Sequence, residues 1–418
     1  MAVKYLNKPF FLSALICIFI FYSGLFQIPE HNRFYSLANN YEITEVSGKI
    51  LSSPAKCQNG KYYNANFEVN QITDKRGMIS SSNGRICMYI PSELVEAYFP
   101  GKLYSSAKNK GANLYEAGGN YSFSGRFSTN GFYADSCKSA FWTSDLFGKI
   151  DYFRALCRLQ FKRLMYSWGA AGGLLLALLA GAKEYTESST AEAFKNAGLS
   201  HILALSGMHL SMFSSIAMYF GKILSRKKIS FIIRIIALIL FVWFAGLSPS
   251  LLRAFICAIL TIVATMTGTK QPDMIMILCF SFLIQCTISP NDIHNVGFIL
   301  SYGALAGILL TNRFFSYLYS KIFPRYISSS LSASTGAQIF TAPISLKIFG
   351  SFCPIGIIAT TIVSPIVTIF IYSGLILIVL CLIFPILQGP SAIFVNFEYT
   401  ILSFAVKIFS HAPKWSIN

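Results

Sequence analysis

The chain has 418 residues, of which 54% are hydrophobic and only 12% charged, with a mean hydropathy of +0.54 and a formal charge of +17. Soluble globular chains carry about 25% charged residues, so this composition excludes a water-soluble protein and puts most of the chain in lipid. The positive excess does not by itself imply nucleic acid, because basic cytoplasmic loops and attraction to anionic lipids produce the same balance.

Residues 9–28, PFFLSALICIFIFYSGLFQI, form one apolar run, and about 20 apolar residues suffice to span a bilayer. Lys4 and Lys8 precede it, which places the N-terminus in the cytoplasm by the positive-inside rule. No small-x-small cleavage site follows, so the run is expected to be an uncleaved anchor within residues 1–29. Residues 30–146 alternate apolar and polar positions in short stretches such as YEITEVSGKIL, NANFEVNQIT, GRICMYIP and NYSFSGRF. That period of two, broken by Gly, Asn and Ser, predicts four or five short strands. They suggest a small barrel, for which an OB-type barrel is one candidate. Exposed aromatic side chains on such a barrel can stack bases. Tyr62, Tyr63, Phe67, Tyr121, Phe123 and Phe127 are the available residues, and core or cross-strand packing is the competing role for each. Cys57, Cys87 and Cys137 share this stretch; in an oxidising compartment one pair could be oxidised, leaving one thiol over.

Residues 147–198 are expected to connect this region to the membrane. In LFGKIDYFRALCRLQFKRLMY, Lys149, Arg154, Arg158, Lys162 and Arg163 interleave with apolar residues, the pattern of a helix lying on the membrane surface. GAAGGLLLALLAGA, 169–182, is short for a span and reads as interfacial or re-entrant. From 199 to 418 the chain is nearly continuous membrane. The expected spans are 199–224, 229–247, 251–267, 274–289, 295–312, 329–349, 353–385 and 391–411. Gly356 and Pro365 interrupt the run 353–385, which therefore reads as broken or re-entrant. If the spans alternate, Arg226, Lys227, Lys228, Lys270, Arg313, Lys321 and Arg325 fall on the side of the N-terminus. That side is then cytoplasmic, and the β-rich region is extracytoplasmic.

The chemistry-bearing stretch is GLSHILALSGMHLSMF, 198–213. Read as one helix, it puts His201 and His209 on one face, about 12 Å apart along the axis, too far apart to share a zinc ion. Small residues at Ser200, Ala204, Gly207 and Ser211 favour close helix contact. The histidines serve either as interhelical glue or as the lining of a polar pathway. From 199 onward the carboxylates are Asp273, Asp292 and Glu398, against thirteen Lys and Arg. A pathway for a polyanion should lack fixed negative charge and keep some positive charge. Arg253 is the cation most readily placed in it, with snorkelling to headgroups as the alternative.

This segment resembles the signature helix of the ComEC competence family, Gly-Leu-x-His-Leu-Leu-Ala-Ile-Ser-Gly-x-His, through Gly198, Leu199, His201, Leu203, Ala204, Ser206, Gly207 and His209. Further similarities follow in the family's order. Ser250, Arg253 and Ala254 resemble its Ser-x-x-Arg-Ala element, and Pro290, Gly297, Phe298, Leu300 and Ser301 its Pro-to-Gly-Phe-x-Leu-Ser stretch. Gln338, Thr341 and Pro343 resemble its Gln-x-x-Thr-x-Pro segment, and Pro365 matches the proline of the stretch that follows. Ala359-Thr360 stands where the family commonly has Ala-Asn. The resemblance implies a polytopic α-helical membrane protein with a small β-rich, OB-like extracytoplasmic domain inserted after the first transmembrane helix. It implies a multi-pass protein of the bacterial inner membrane that passes single-stranded DNA, with no cofactor. His201, Ser206, Gly207, His209, Arg253, Gln338, Pro343 and Pro365 become pathway candidates. No Walker A loop is present, so an ATP-driven motor and a DNA receptor are expected as separate partners. Many family members continue into a metallo-β-lactamase-like domain with a His-x-His-x-Asp-His cluster. The histidines here, His31, His201, His209, His294 and His411, cannot form that cluster. The chain is therefore expected to be non-enzymatic, truncated or degenerate, with such a domain supplied separately if at all. A secondary transporter of a small solute and a non-transporting scaffold are the competing functions. The carboxylate shortage argues against a proton- or sodium-coupled carrier.

Overall fold

The computed structural model describes residues 8–23, 34–36, 38–57, 59–97, 103, 114–129, 131–183, 185–223, 227–269 and 271–416. Lys4, residues 24–28 of the expected anchor, His31, Arg226 and Lys270 lie outside the described residues. The chain opens with helix α1 (Pro9–Tyr22), started by a proline in its first turn, where a missing N–H leaves no intrahelical bond unmade.

The β-rich part contains β1 (Ile43–Ile50), β2 (Ala55–Lys56), β3 (Tyr62–Asp74), β4 (Ile79–Ser81), β5 (Arg85–Pro91), the short helix α2 (Ser92–Glu96), β6 (Asn120–Ser128) and β7 (Gly131–Phe141). β1 pairs antiparallel with both β3 and β6, while β5 and β7 pair in parallel. The sheet therefore closes in the order β1-β3-β5-β7-β6-β1, with β2 and β4 added onto β3. Alternation sorts the side chains: Tyr63, Ala65, Phe67 and Val69 on β3 and Ile86, Met88 and Ile90 on β5 point into one buried core. β1 shifts register between Ser47 and Gly48. A Cβ on Gly48 would lie 1.9 Å from the Glu68 carbonyl oxygen, so only glycine permits the close strand approach at this irregularity.

Thirteen residues of β3 and the other strands give a closed sheet rather than separate hairpins, and closure removes the exposed edges an open sheet would leave. Cys57, Cys87 and Cys137 are free thiols. Burial pushes the Cys57 thiol up, and the neighbouring Cys87 adds to the rise.

Helix α3 (Leu146–Ser167) departs from a helix lying wholly on a surface in its second half. Arg158, Leu159, Phe161, Lys162, Arg163, Leu164 and Met165 are buried. Its Ala155 and Leu159 join the barrel core, and Phe161, Leu164 and Met165 join the core of the helical part. Over this half the amphipathic pattern is satisfied by two protein surfaces, while Leu146, Phe147 and Phe153 nearer its start are exposed. The tight turn at Trp168 and Gly169, with Gly169 at φ +62°, leads into α4 (Gly169–Ala180). α4 is enclosed from Ala171 to Ala180.

The remaining elements are α5 (Ser188–Asn196), α6 (Gly207–Ile223), α7 (Lys227–Ala245), α8 (Pro249–Met266), α9 (Met274–Ile288), α10 (Val296–Ser320), α11 (Arg325–Phe349), β8 (Ser351–Phe352), α12 (Gly356–Ile383), α13 (Gln388–Ser410) and β9 (Trp415–Ser416). Among the described residues four helical segments are long and apolar enough to cross a membrane: Pro249–Met266, Val296–Ser320, Gly356–Ile383 and Pro385–Ser410. Shorter apolar helices are Pro9–Tyr22, Gly169–Ala180, Ile229–Ala245 and Met274–Ile288. The run 353–385 is not broken or re-entrant. α12 continues through Pro365 for 28 residues, about 42 Å at 1.5 Å per residue. Membrane helices tolerate an internal proline when neighbouring helices and hydroxyl side chains compensate the lost bond.

Helix packing uses glycines where a neighbouring helix comes close. A Cβ on Gly307 of α10 would lie 2.2 Å from the Gly336 carbonyl oxygen of α11, and one on Gly374 of α12 would lie 2.8 Å from Leu175 of α4. α1 runs parallel to α9: Lys8 pairs with Asp273 before α9 at 2.9 Å, and the Tyr22 hydroxyl donates to the Ile293 carbonyl after it at 3.0 Å.

Candidate functional site

The signature segment is not one helix. α5 ends at Asn196 and is closed by Gly198, whose φ of +73° is left-handed. The Leu199 N–H bonds the Phe194 carbonyl at 2.8 Å and the Gly198 N–H bonds that of Lys195 at 3.1 Å. This is a Schellman ending, completed by Phe194 and Leu199 burying together in the helical core. The chain then turns without helix until α6 starts at Gly207. His201 and His209 therefore do not share a helix face: His201 is exposed on the turn, and His209 is fully buried in the first turn of α6.

His209 is held by the residue that opens its own helix. The Ser206 backbone N–H donates to His209 Nδ1 at 3.2 Å, with Ser206 Oγ at 3.3 Å from the same nitrogen. This is the reciprocal half of a capping box, with a histidine in place of the usual Glu or Gln. A neutral imidazole that accepts at Nδ1 carries its proton on Nε2. That Nε2 is buried with no hydrogen-bond partner among the described residues.

Arg253 approaches the same helix start from α8. A guanidinium nitrogen lies 3.6 Å from where a Cβ on Gly207 would sit, and the guanidinium carbon is 6.0 Å from the Tyr302 ring centre. Arg253 is buried, its Nε has no hydrogen-bond partner, and no carboxylate pairs with it among the described residues. Ser206, Gly207, His209 and Arg253 are thus brought together. The cluster presents an arginine, an imidazole N–H and the positive end of a helix, with donors in excess of acceptors.

A hydrogen-bonded frame holds Arg253's helix. The Tyr302 hydroxyl donates to Gln285 Oε1 at 3.1 Å, and Gln285 Nε2 donates to the Pro249 carbonyl at 3.1 Å and to Asp292 at 3.2 Å. The Ser250 hydroxyl donates to the Gly297 carbonyl at 3.0 Å, and the Cys257 thiol lies 3.2 Å from the hydroxyl of fully buried Ser281. Ser281, Gln285 and Tyr302 were not among the sequence candidates. The available signal was a glutamine and a tyrosine within apolar runs, which must find partners when withdrawn from water.

A second polar cluster surrounds Gly198. Gln338 Nε2 lies 2.7 Å from where a Cβ on Gly356 would sit, and the Gly198 carbonyl lies 3.2 Å from the same point. Gln338 Oε1 is buried with no hydrogen-bond partner among the described residues. Pro343 is exposed inside α11 and Pro365 half-buried inside α12. They shape their helices and join neither cluster.

On the barrel, four of the six aromatic candidates are corrected. Tyr63, Phe67 and Phe123 are 0% exposed and Tyr121 is 1% exposed. They fill the core on the inward phase of their strands and offer no face to a base. Tyr62 and Phe127 remain half-buried, Phe127 stacked on Phe34 at 5.3 Å.

Between barrel and bundle sits a buried ion cluster. Glu116 lies 3.2 Å from Arg158 and 3.0 Å from Lys162. Arg158 also donates to the Phe244 carbonyl at 2.7 Å, at the end of α7. Burial alone would raise the Glu116 carboxyl, but Arg158 and Lys162 hold it far below the usual carboxylate range.

The competence protein family model matches residues 178–418. The chain is 26% identical over 204 residues to ComE operon protein 3 of Bacillus subtilis (strain 168), covering 48% of this chain and 25% of that protein. It is 24% identical over 210 residues to Recombination protein 2 of Haemophilus influenzae, covering 46% of this chain and 26% of that protein. The matches span about a quarter of the length of these curated relatives. No solved structure matches. The family model covers more than half of the chain: the chain belongs to the competence protein family.

Proposed function

We propose that this chain is a channel component for single-stranded DNA in natural transformation, set in the inner membrane of a bacterium. The observation that carries the reading is the donor-rich cluster of Gly207, His209 and Arg253 inside the helical part. A passing phosphate finds a cation, an N–H and a helix start there, with no carboxylate paired to the arginine among the described residues. The family match supports the same direction. The Gly198–Gln338 cluster continues the polar lining, with His201 at its exposed end. On this reading the closed barrel is an OB-type domain, since its strand order with one parallel pair is that of a five-stranded Greek-key barrel.

The barrel stands outside the cytoplasmic membrane. Lys8 beside Asp273 supports a common side for the N-terminus and the connection before α9. Pairing of β8 with β9 supports a common opposite side for the ends of α11 and α13. Excess Lys and Arg on the first side assign it to the cytoplasm.

The partners are DNA, anionic lipids, a separate motor and a DNA receptor. The chain itself is a conduit and performs no catalysis, so a labelled oligonucleotide should survive incubation with the purified protein and divalent metal.

The test compares wild type with Arg253→Gln and His209→Ala in the native host. Uptake of labelled DNA and transformation frequency should fall at least tenfold in each, with unchanged amounts of protein in the membrane. Undiminished uptake in both variants would remove the conduit reading. Loss of accumulation of a small solute with DNA uptake intact would favour the carrier.

A further inference from the structure

The outward phase of the barrel strands carries aromatics of its own. Cross-strand register aligns Asn64 of β3, Tyr89 of β5, Tyr133 of β7 and Arg126 of β6 in one row across four strands. The Tyr89 and Tyr133 rings stack at 4.5 Å with their planes 12° apart, and Tyr62 meets Tyr133 edge-on at 5.3 Å. All three tyrosines are half-buried and Arg126 is exposed. The Cys87 side chain beside Tyr89 and partial burial push its phenol up to about 12.

Ordinary packing does not account for this row. The inward phase of the same strands already fills the core, and the three rings belong to no buried cluster among the described residues. Their position is also particular. β3 and β5 are the second and third barrel strands, Tyr62 opens β3, and Tyr133 follows the β6–β7 turn. That is the barrel face on which five-stranded Greek-key barrels take oligomeric ligands, between the first and last strand connections.

We propose that Tyr62, Tyr89 and Tyr133, with Arg126 at the end of the row, form a stacking platform for the unpaired bases of single-stranded DNA. This deepens the proposed conduit reading and rests on it. A preformed tyrosine stack is extended by a planar base at little ordering cost, and any of the four bases offers such a face. A guanidinium at the end of the row suits a phosphate or a further base. The same outer face carries Arg85 with Glu68 opposite it, and Asp135 beside Tyr133 on β7. Its charges nearly cancel, so stacking rather than phosphate attraction must dominate, and affinity should fall only gently with salt.

The test uses the full chain in lipid nanodiscs and fluorescence anisotropy with oligo-thymidine, an abasic oligomer of equal length, and a chitin-type oligosaccharide as competitor. Tyr89→Leu and Tyr133→Leu should each weaken oligo-thymidine binding about tenfold. Tyr89→Phe, which keeps the ring, should bind as wild type, as should Tyr41→Leu, an exposed tyrosine off the row. Wild type should bind the abasic oligomer as weakly as the leucine variants bind oligo-thymidine. Thermal unfolding of the leucine variants matching wild type confirms that the barrel is intact. Equal affinity for abasic and thymidine oligomers, or undiminished binding in both leucine variants, would overturn the platform. So would an oligosaccharide that displaces thymidine from wild type and is itself lost in those variants, which would assign the row to sugar. Platform and conduit fail separately: the platform is read as oligo-thymidine binding by the leucine variants in nanodiscs, where no transport is needed, and the conduit as uptake by Arg253→Gln and His209→Ala in the native host.

Discussion

Glu116 answers two buried cations, and its removal leaves both without it. Breaking a buried ion cluster by deleting one partner costs about 3–5 kcal/mol. Glu116→Gln is therefore expected to lower the unfolding midpoint of the detergent-solubilised protein by several degrees, with the barrel released first. The pH dependence has a definite sign. Although burial opposes ionisation, Arg158 and Lys162 depress the folded carboxyl below its unfolded value. Its contribution is thus fully present above the ordinary glutamate range, near pH 4.3, and is lost progressively as pH falls from there through the depressed folded value. Wild type should lose stability from this group on acidification below about pH 5. Glu116→Gln, less stable at neutral pH, should lack that share of the acid dependence in thermal scans from pH 7 to pH 3. Glu116 was invisible as a functional residue in sequence: a lone glutamate in a loop carries no mark of the arginine and lysine that a helix some forty residues later brings to it.

At the scale of elements, glycines decide where helices stop and how closely they pack. Gly198→Ala must hold alanine at a φ of +73°, which costs about 1 kcal/mol and loosens the Schellman ending. The expected result is a modest drop in thermal midpoint. Gly307→Ala is harsher, because its Cβ would strike the Gly336 backbone oxygen rather than a flexible side chain. Overpacking of this kind costs about 1–3 kcal/mol, and α10 and α11 should separate enough to raise cysteine cross-linking distances between positions 304 and 340. An unchanged thermal midpoint in Gly307→Ala would show that the two helices are not held in this contact. Apolar runs in the sequence announced most of these helices. The apolar pattern of 198–213 carried no sign that Gly198 is left-handed, so the reading of His201 and His209 on one face failed. Likewise the amphipathic pattern of α3 could not say whether its apolar side met lipid or protein.

At the scale of the whole molecule, the proposed topology puts the short basic connections on the side of the N-terminus and the barrel on the other. Reporters active only outside the cytoplasm, fused after Arg76 in the β3–β4 turn and after Ile322 between α10 and α11, should be active at 76 and silent at 322. The reverse pattern would invert the topology. The barrel and bundle meet along α3, where its Leu159 enters one core and its Phe161 the other. A base captured on the tyrosine row and a phosphate at Arg253 would then lie on parts of one connected protein, and weakening the Glu116 cluster should lower DNA uptake even where oligo-thymidine binding persists.

Sequence alone determined the membrane class, the family resemblance, the division into a β-rich and a helical part, and most helices as apolar runs. These depend on composition, on periods of two and 3.6, and on local order of motifs, all of which are written in one dimension. Only the tertiary structure decided which alternate residues of each strand face inward. It buried Tyr63, Phe67, Tyr121 and Phe123 and left Tyr62, Tyr89 and Tyr133 at the surface. It also decided that Ser206 and His209 bond each other while Arg253, 44 positions beyond His209 in the chain, closes on Gly207. The reason is physical: an unpaired donor or a stacked ring is defined by what surrounds it, and those surroundings come from segments far apart in sequence.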